Sequence, residues 1–261
     1  MSEKVTAPRL RSLKAKGEKI VCITAYDVFF GRIADEAGAD VVLVGDSLGN
    51  VVLGYPTTVF VTLDEILHHV RAVRRGVSRA LLVADMPLGS YGGSIAQAVE
   101  TATALVKAGA EAVKLEGEYS EEIRAITKMG IPVMGHLGMT PQSVNNFGGF
   151  KVQGKGSSGE AILQSAKSIE QAGVFSIVLE LIPKALSAQI TNGVSIPTIG
   201  IGAGAECDGQ VQVMHDLLGF SDETFRHSKR YMDGQSAVLE SMRTYAREVR
   251  RGSFPSEENS F

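Results

Sequence analysis

The sequence has no tryptophan, only two cysteines, and few aromatic residues, 6% of 261 positions. Cys22 and Cys207 are too few and too far apart for a disulfide framework or a Cys-rich zinc site. No apolar run reaches the ~18 residues that a membrane span needs. The N-terminal stretch MSEKVTAPRLRSLKAKGEK is charged and carries no apolar signal core. An excess of positive charge is also missing: 26 Lys+Arg against 29 Asp+Glu give a net charge of −3. Neither a nucleic-acid backbone nor a membrane surface is therefore an expected partner. A soluble protein of a reducing compartment, the cytoplasm, is expected. With so few aromatics, the core must be built from Val, Ile, Leu and Ala.

What the chain does have is a repeating alternation. Short apolar runs stand at 19–24, 41–45, 80–84, 112–115, 132–136, 175–179, 197–201 and 210–214. Continuous runs of this kind suit strands buried on both faces of a parallel sheet. Between most of them lie helix-length segments, among them 62–76, 94–109, 120–130 and 159–173. Thr62 and Glu65 have the spacing of a capping box. Gly38, Gly76, Gly109, Gly130 and Gly173 stand where helices would end. Eight such units predict an α/β fold, a (β/α)8 TIM barrel in one domain over 1–261, with an open doubly wound sheet as the alternative. Only GAGAECDG separates the last two runs, so the seventh helix is expected to be short or vestigial. Residues 8–16 are expected to form an extra helix closing the barrel bottom, and 253–261 an extended tail. Cys22 falls inside an apolar strand and reads as a core thiol.

The strand ends carry the chemistry. The second run is followed by Asp46, the third by Asp85, the fourth by Glu116, the fifth run ends in His136, and the sixth is followed by Glu180. Lys114 lies two residues before Glu116, on the same strand face. One Asp at a strand end commonly caps the next helix. Five ionisable residues at equivalent ends instead meet on the C-terminal rim, where barrels of this kind place active sites. Carboxylates gathered there repel one another unless cations sit among them. Lys114 supplies one positive charge, and a divalent cation is the natural second. Asp46, Asp85 and Glu116 are hard oxygen donors suited to Mg²⁺. Such a cation on a 2-oxo acid polarises the carbonyl and stabilises an enolate, with Glu180 or His136 as the base. The site thus predicts metal-assisted enolisation followed by carbon–carbon bond formation or cleavage. Two loops stay open in function: IGIGAGAE at 199–206 reads as an anion cradle or a tight turn, and 145–156 as a rim loop.

The motifs ITAYD (23–27), VGDSLGNVVLG (44–54), VKLEG (113–117), GHLGMTPQSVNNFGGFKVQGKG (135–156), VLELIP (178–183) and IPTIGIGAGAECDGQVQVMHDLLG (196–219) together resemble the ketopantoate hydroxymethyltransferase family over nearly the whole chain. The resemblance implies transfer of a hydroxymethyl group from 5,10-methylenetetrahydrofolate to 3-methyl-2-oxobutanoate, giving 2-dehydropantoate for pantothenate synthesis. It implies one Mg²⁺ held by Asp46, Asp85 and Glu116, and substrate binding by Asp46, Ser47, Asp85 and Lys114. Glu180 matches the family's base and His136 a position near the site. A homodecamer of two stacked pentamers is also implied. The chain departs from the family pattern at Asn50, Tyr55, Pro56 and Glu118, all flanking the cluster. A lyase or mutase of the phosphoenolpyruvate and isocitrate type, which needs no folate, is the alternative activity. A non-catalytic metabolite-binding barrel is the third reading.

Overall fold

Eight short parallel strands close into one barrel in the computed structural model, which describes residues 3–221 and 225–261. The sequence reading spans 1–261, and its residues 1–2 and 222–224 lie outside the described residues. The strands are β1 (Ile20–Thr24), β2 (Val41–Val44), β3 (Leu81–Asp85), β4 (Ala112–Glu116), β5 (Val133–Gly138), β6 (Ser176–Glu180), β7 (Thr198–Ile201) and β8 (Gly209–Gln212). Each pairs with the next, and β8 returns to β1 with Gly209 opposite Ile20. The sheet is therefore a closed barrel, not the open alternative.

The helices are α1 (Ala7–Lys16), α2 (Val28–Glu36), α3 (Leu48–Val51), α4 (Leu63–Arg74), α5 (Ile95–Ala108), α6 (Ser120–Lys128), α7 (Val144–Phe147), α8 (Ser158–Ala172), α9 (Lys184–Gly193), α10 (Met214–Leu218) and α11 (Gly234–Arg251). No helix lies between β7 and β8, as the short connection requires. The Thr62–Glu65 capping box starts α4. Glycines 38, 109, 130 and 173 take the positive φ that follows a helix. Gly76 serves a different need: its backbone is not left-handed, but a Cβ there would lie 2.2 Å from the Val28 carbonyl oxygen. Close approach of α4 to α2, not helix termination, demands glycine at 76.

The chain divides into two compact units, Met1–Val213 and Met214–Phe261. In the first, the core is the barrel interior. Cys22, Val41, Leu43, Leu81, Val83, Ala112, Met134, Val178, Ile199 and Val211 meet there with Leu10 and Leu13 of α1. Burial of that apolar surface, at about 25 cal/mol per Å², is the main stabilising term. It also pushes the Cys22 thiol's pKa up, so Cys22 is an inert core residue. α1 closes the barrel at the strand starts. Its Lys14 Nζ donates to Thr191 O at 2.9 Å and Ile196 O at 3.0 Å, and pairs with Asp208 Oδ2 at 2.9 Å.

The second unit holds α10 and α11. α11 is a helix that the strand-and-rim reading did not include. Val238, Met242, Tyr245 and Val249 recur on it at helical spacing and are exposed. The expected extended tail contains a short 3₁₀ turn at Glu257–Asn259. Among the described residues no helix is long and apolar enough to cross a membrane.

Candidate active site

Alternation along the strands builds the site. Val83 faces the barrel interior, so Asp85 does too; Ala112 does, so Lys114 and Glu116 follow. The same rule carries Met134 to His136 and Val178 to Glu180. The register then sets Asp85 beside Lys114 and Glu116 beside His136. The lower inward positions are apolar and the upper ones ionisable, which puts charge at one end of a dry barrel. Asp46 arrives differently. It follows Gly45 in the turn after β2, and its backbone N–H donates to Asp85 Oδ2 at 2.9 Å. A Cβ on Gly45 would lie 2.9 Å from Ser47 Oγ and 3.4 Å from Asp85 Oδ2. Glycine is what lets these groups crowd together.

All six expected residues of the ionisable cluster meet here. Asp46, Asp85, Lys114, Glu116 and His136 are each no more than 4% exposed, and the Glu180 side chain is 14% exposed. Lys114 Nζ lies 2.6 Å from Asp85 Oδ1. His136 bridges two carboxylates, with Nδ1 3.2 Å from Glu116 Oε1 and Nε2 3.2 Å from Glu180 Oε2. These contacts are ionic: Asp85 Oδ1, Glu116 Oε1 and both His136 nitrogens receive or make no well-directed hydrogen bond. Ser47 Oγ shares a 2.8 Å hydrogen bond with Tyr26 Oη.

The electrostatics follow from this packing. Burial opposes the Lys114 charge, but Asp85, Glu116 and Asp46 outweigh it and hold the ammonium charged. Burial and Lys114 lower the His136 pKa, while Glu116 and Glu180 raise it further, to about 9. The imidazole is thus a cation clamped between carboxylates. Burial also disfavours the Glu116 charge, yet His136, Lys114 and the Gln142 amide keep its carboxyl below the usual range. Asp46 takes the repulsion: burial, then Asp85 and Glu116, push its carboxyl well above the usual range. When all four acids are ionised, two negative charges stay uncompensated by Lys114 and His136.

That surplus, and the donor set, fit a hard divalent cation. Asp46, Asp85 and Glu116 offer only oxygen, and two of those oxygens, Asp85 Oδ1 and Glu116 Oε1, are buried with no well-directed hydrogen bond, held only by the ionic contacts to Lys114 and His136. Among the described residues no three His, Cys, Asp or Glu side chains are gathered into a ready-made metal cage. In this arrangement Lys114 and His136 occupy the inner faces of those carboxylates.

Two residues that sequence reasoning missed hold the cluster together. Gln142 Nε2 donates to Asp46 Oδ2 at 2.8 Å, and its backbone N–H donates to Glu116 Oε2 at 3.0 Å. Tyr91 Oη lies 2.7 Å from Gln142 Oε1. Gln142 is inside the GHLGMTPQS motif, but a neutral side chain in a loop gives no signal of its own. A cavity of about 340 Å³ opens beside Glu116, lined in part by Tyr91, Glu118, Tyr119 and Gln142. Glu118 is one of the departures from the family pattern, and its Oε2 accepts from Ser165 Oγ at 2.6 Å. Tyr55 donates to Glu65 Oε1 at 2.6 Å, and Asn50 Nδ2 donates to Tyr55 O at 2.9 Å. Those departures brace the capped start of α4. Directly after Glu180, Leu181 has φ 45° and turns the chain sharply, with a Cβ on Gly138 falling 2.2 Å from the Glu180 carbonyl oxygen. Leu181 is the one non-glycine residue with positive φ among the described residues. Backbone strain of this kind is stored beside the proposed base.

The chain is similar to known proteins over nearly its whole length. The family model for ketopantoate hydroxymethyltransferase matches residues 4–257. A 3-methyl-2-oxobutanoate hydroxymethyltransferase of Thermotoga neapolitana is 52% identical, covering 97% of this chain and 95% of that one. A protein of the same name from Aeropyrum pernix is 51% identical, covering 98% and 94%. Among solved structures, a phosphonopyruvate hydrolase in complex with oxalate and Mg²⁺ superposes with a TM-score of 0.64 at 14% identity, covering 97% of this chain and 92% of that one. A 2,3-dimethylmalate lyase does so with a TM-score of 0.61 at 16% identity, covering 98% and 90%. At such identity these two share the fold alone. The match across nearly the whole length, with relatives at half identity, shows that the chain belongs to the ketopantoate hydroxymethyltransferase family.

Proposed function

We propose that this enzyme transfers a hydroxymethyl group from 5,10-methylenetetrahydrofolate to 3-methyl-2-oxobutanoate, giving 2-dehydropantoate. The observation that carries the reading is the buried rim cluster, four carboxylates around two cations, in a chain of this family. Asp46, Asp85 and Glu116 would hold Mg²⁺, which when bound supplies Lewis-acid polarisation of the 2-oxo group. Lys114 offsets the negative charge of the bound acid. Ser47, oriented by Tyr26, offers a hydroxyl to it. Glu180 takes the proton from C3. Both His136 nitrogens face carboxylates, so His136 has no free lone pair to act as base and instead orients Glu180. The C3 carbon then forms its bond to the one-carbon unit while the folate nitrogens let it go. Water supplies the hydroxyl group and one proton; that proton and the one taken from C3 end on the two folate nitrogens that lose their bonds to the one-carbon unit. The buried walls keep other water from the reacting carbon. A homodecamer of two pentamers, working in the cytoplasm, completes the proposal.

The test is turnover with both substrates together and with each alone, with and without Mg²⁺, followed by mass spectrometry. Formation of 2-dehydropantoate only with the oxo acid, the folate and the metal together supports the reading. Cleavage of a larger oxo or hydroxy acid without folate would replace it with the lyase alternative.

A further inference from the structure

Gln142 sits in the 3₁₀ turn Pro141–Ser143 after β5 and is 6% exposed. The two ends of its side-chain amide face opposite demands. Nε2 meets Asp46 Oδ2 at 2.8 Å and Met86 O at 3.0 Å, both acceptors. Oε1 meets the Tyr91 hydroxyl at 2.7 Å. Turning the amide over would set its oxygen against two acceptors, so one orientation is selected. The Tyr91 hydroxyl has a single proton. Its short contact to Gln142 Oε1 takes that proton, and its oxygen accepts from the Glu116 N–H at 3.1 Å. Tyr91 therefore locks the amide, and the lock is anchored on the backbone of Glu116 itself.

The consequence is seen at the carboxylates. Each of the three has one oxygen held by a protein donor: Asp46 Oδ2 by Gln142 Nε2, Glu116 Oε2 by the Gln142 N–H, and Asp85 Oδ2 by the Asp46 N–H. Gln142 supplies two of these three ties, to residues on two different strand ends. Each tie fixes how its carboxylate is turned, and so which of its remaining lone pairs can face a cation; the second oxygens of Asp85 and Glu116 also meet Lys114 and His136.

We infer that Gln142, locked by Tyr91, is a positioning residue that fixes how the carboxylates of Asp46 and Glu116 face a divalent cation and so sets the cation affinity of the rim. The inference rests on the reading of Asp46, Asp85 and Glu116 as cation ligands. Gln142 touches neither cation nor substrate in this role and acts through the two acids. Groups that orient metal ligands in this way typically change metal affinity by about 10–100-fold when removed.

The test uses the full-length protein, Mn²⁺ as the probe and no substrate. Free Mn²⁺ is followed by electron paramagnetic resonance during titration, and thermal melting is recorded in parallel. Gln142→Met keeps the volume and the backbone N–H but removes the Asp46 tie; Tyr91→Phe removes the lock and keeps both Gln142 donors. Wild type should bind Mn²⁺, Gln142→Met about 10-fold or more weakly, and Tyr91→Phe more weakly in the same direction. A lowered melting temperature with unchanged Mn²⁺ affinity in either variant would reduce the pair to a structural role and overturn the inference. If Gln142→Met does not fold, Tyr91→Phe decides alone, and wild-type affinity in it overturns the inference. Failure of the wild type to bind Mn²⁺ would overturn the ligand reading beneath it.

Discussion

Replacing Lys114 by Met removes a charge from the centre of the rim while keeping most of the side-chain volume. The Lys114 and Asp85 side chains are 5% and 3% exposed and 2.6 Å apart. At an effective dielectric constant of about 20, unit charges at that distance attract by about 6 kcal/mol. Part of this offsets the cost of taking both ions out of water. Without Lys114, Asp85 is left desolvated beside Asp46 and Glu116, and losing one partner of such a pair costs about 3–5 kcal/mol. Urea denaturation at neutral pH should show a loss of that size for Lys114→Met. Adding Asp85→Asn to the variant should recover much of it, because the stranded charge is then gone. Mg²⁺ should also recover part, because it supplies the missing positive charge. A Lys114→Met protein within about 1 kcal/mol of wild type in the absence of metal would refute the claim that this cluster is dry and short of cations, since only exposed pairs are worth so little.

Two further expectations concern the frame of the site. Asp35 is buried and accepts from the N–H groups of Ser78, Arg79 and Ala80 and from the Ser78 hydroxyl, fixing the entry to β3. Burial raises its pKa, but these donors lower it more, to below the ordinary 3.8. Its stabilisation is therefore fully present above that value and is lost as pH falls through the depressed one. Asp35→Asn should cost about 2–3 kcal/mol in urea denaturation at neutral pH, with the gap to wild type closing in acid; a constant gap would contradict this. Gly138→Ala would force a Cβ at φ 97° against the Glu180 carbonyl. It should cut kcat about 100-fold through displacement of Glu180, and activity within twofold of wild type would show that Glu180 does not need its present place.

The barrel and most of its rim were legible in the sequence because one physical rule generates both. A strand buried on both faces is apolar until it reaches the rim, so a charge directly after an apolar run marks the rim. Asp85, Glu116, His136 and Glu180 obey that rule, and Lys114 follows from alternation. Asp46 is one residue out of phase and needed the turn at Gly45 to bring it in. Gln142 and Tyr91 were not legible: they are neutral, lie in loops after different strands, and act through bonds that exist only after the barrel closes. Gly76 shows the same limit, since a helix-ending glycine and a close-contact glycine look alike in sequence. The helix Gly234–Arg251 was not read from the sequence, because the reading followed the alternation of strands and helices and this helix lies beyond the last strand.

The central claim is that Glu180 removes the C3 proton of 3-methyl-2-oxobutanoate in a cation-dependent site. Proton magnetic resonance of the oxo acid in D₂O, with the protein and without folate, tests this most directly. The wild type with Mg²⁺ should erase the C3 proton signal, while the wild type without metal and Glu180→Gln with metal should leave it. Exchange by Glu180→Gln at the wild-type rate, or wild-type exchange indifferent to Mg²⁺, would contradict the account.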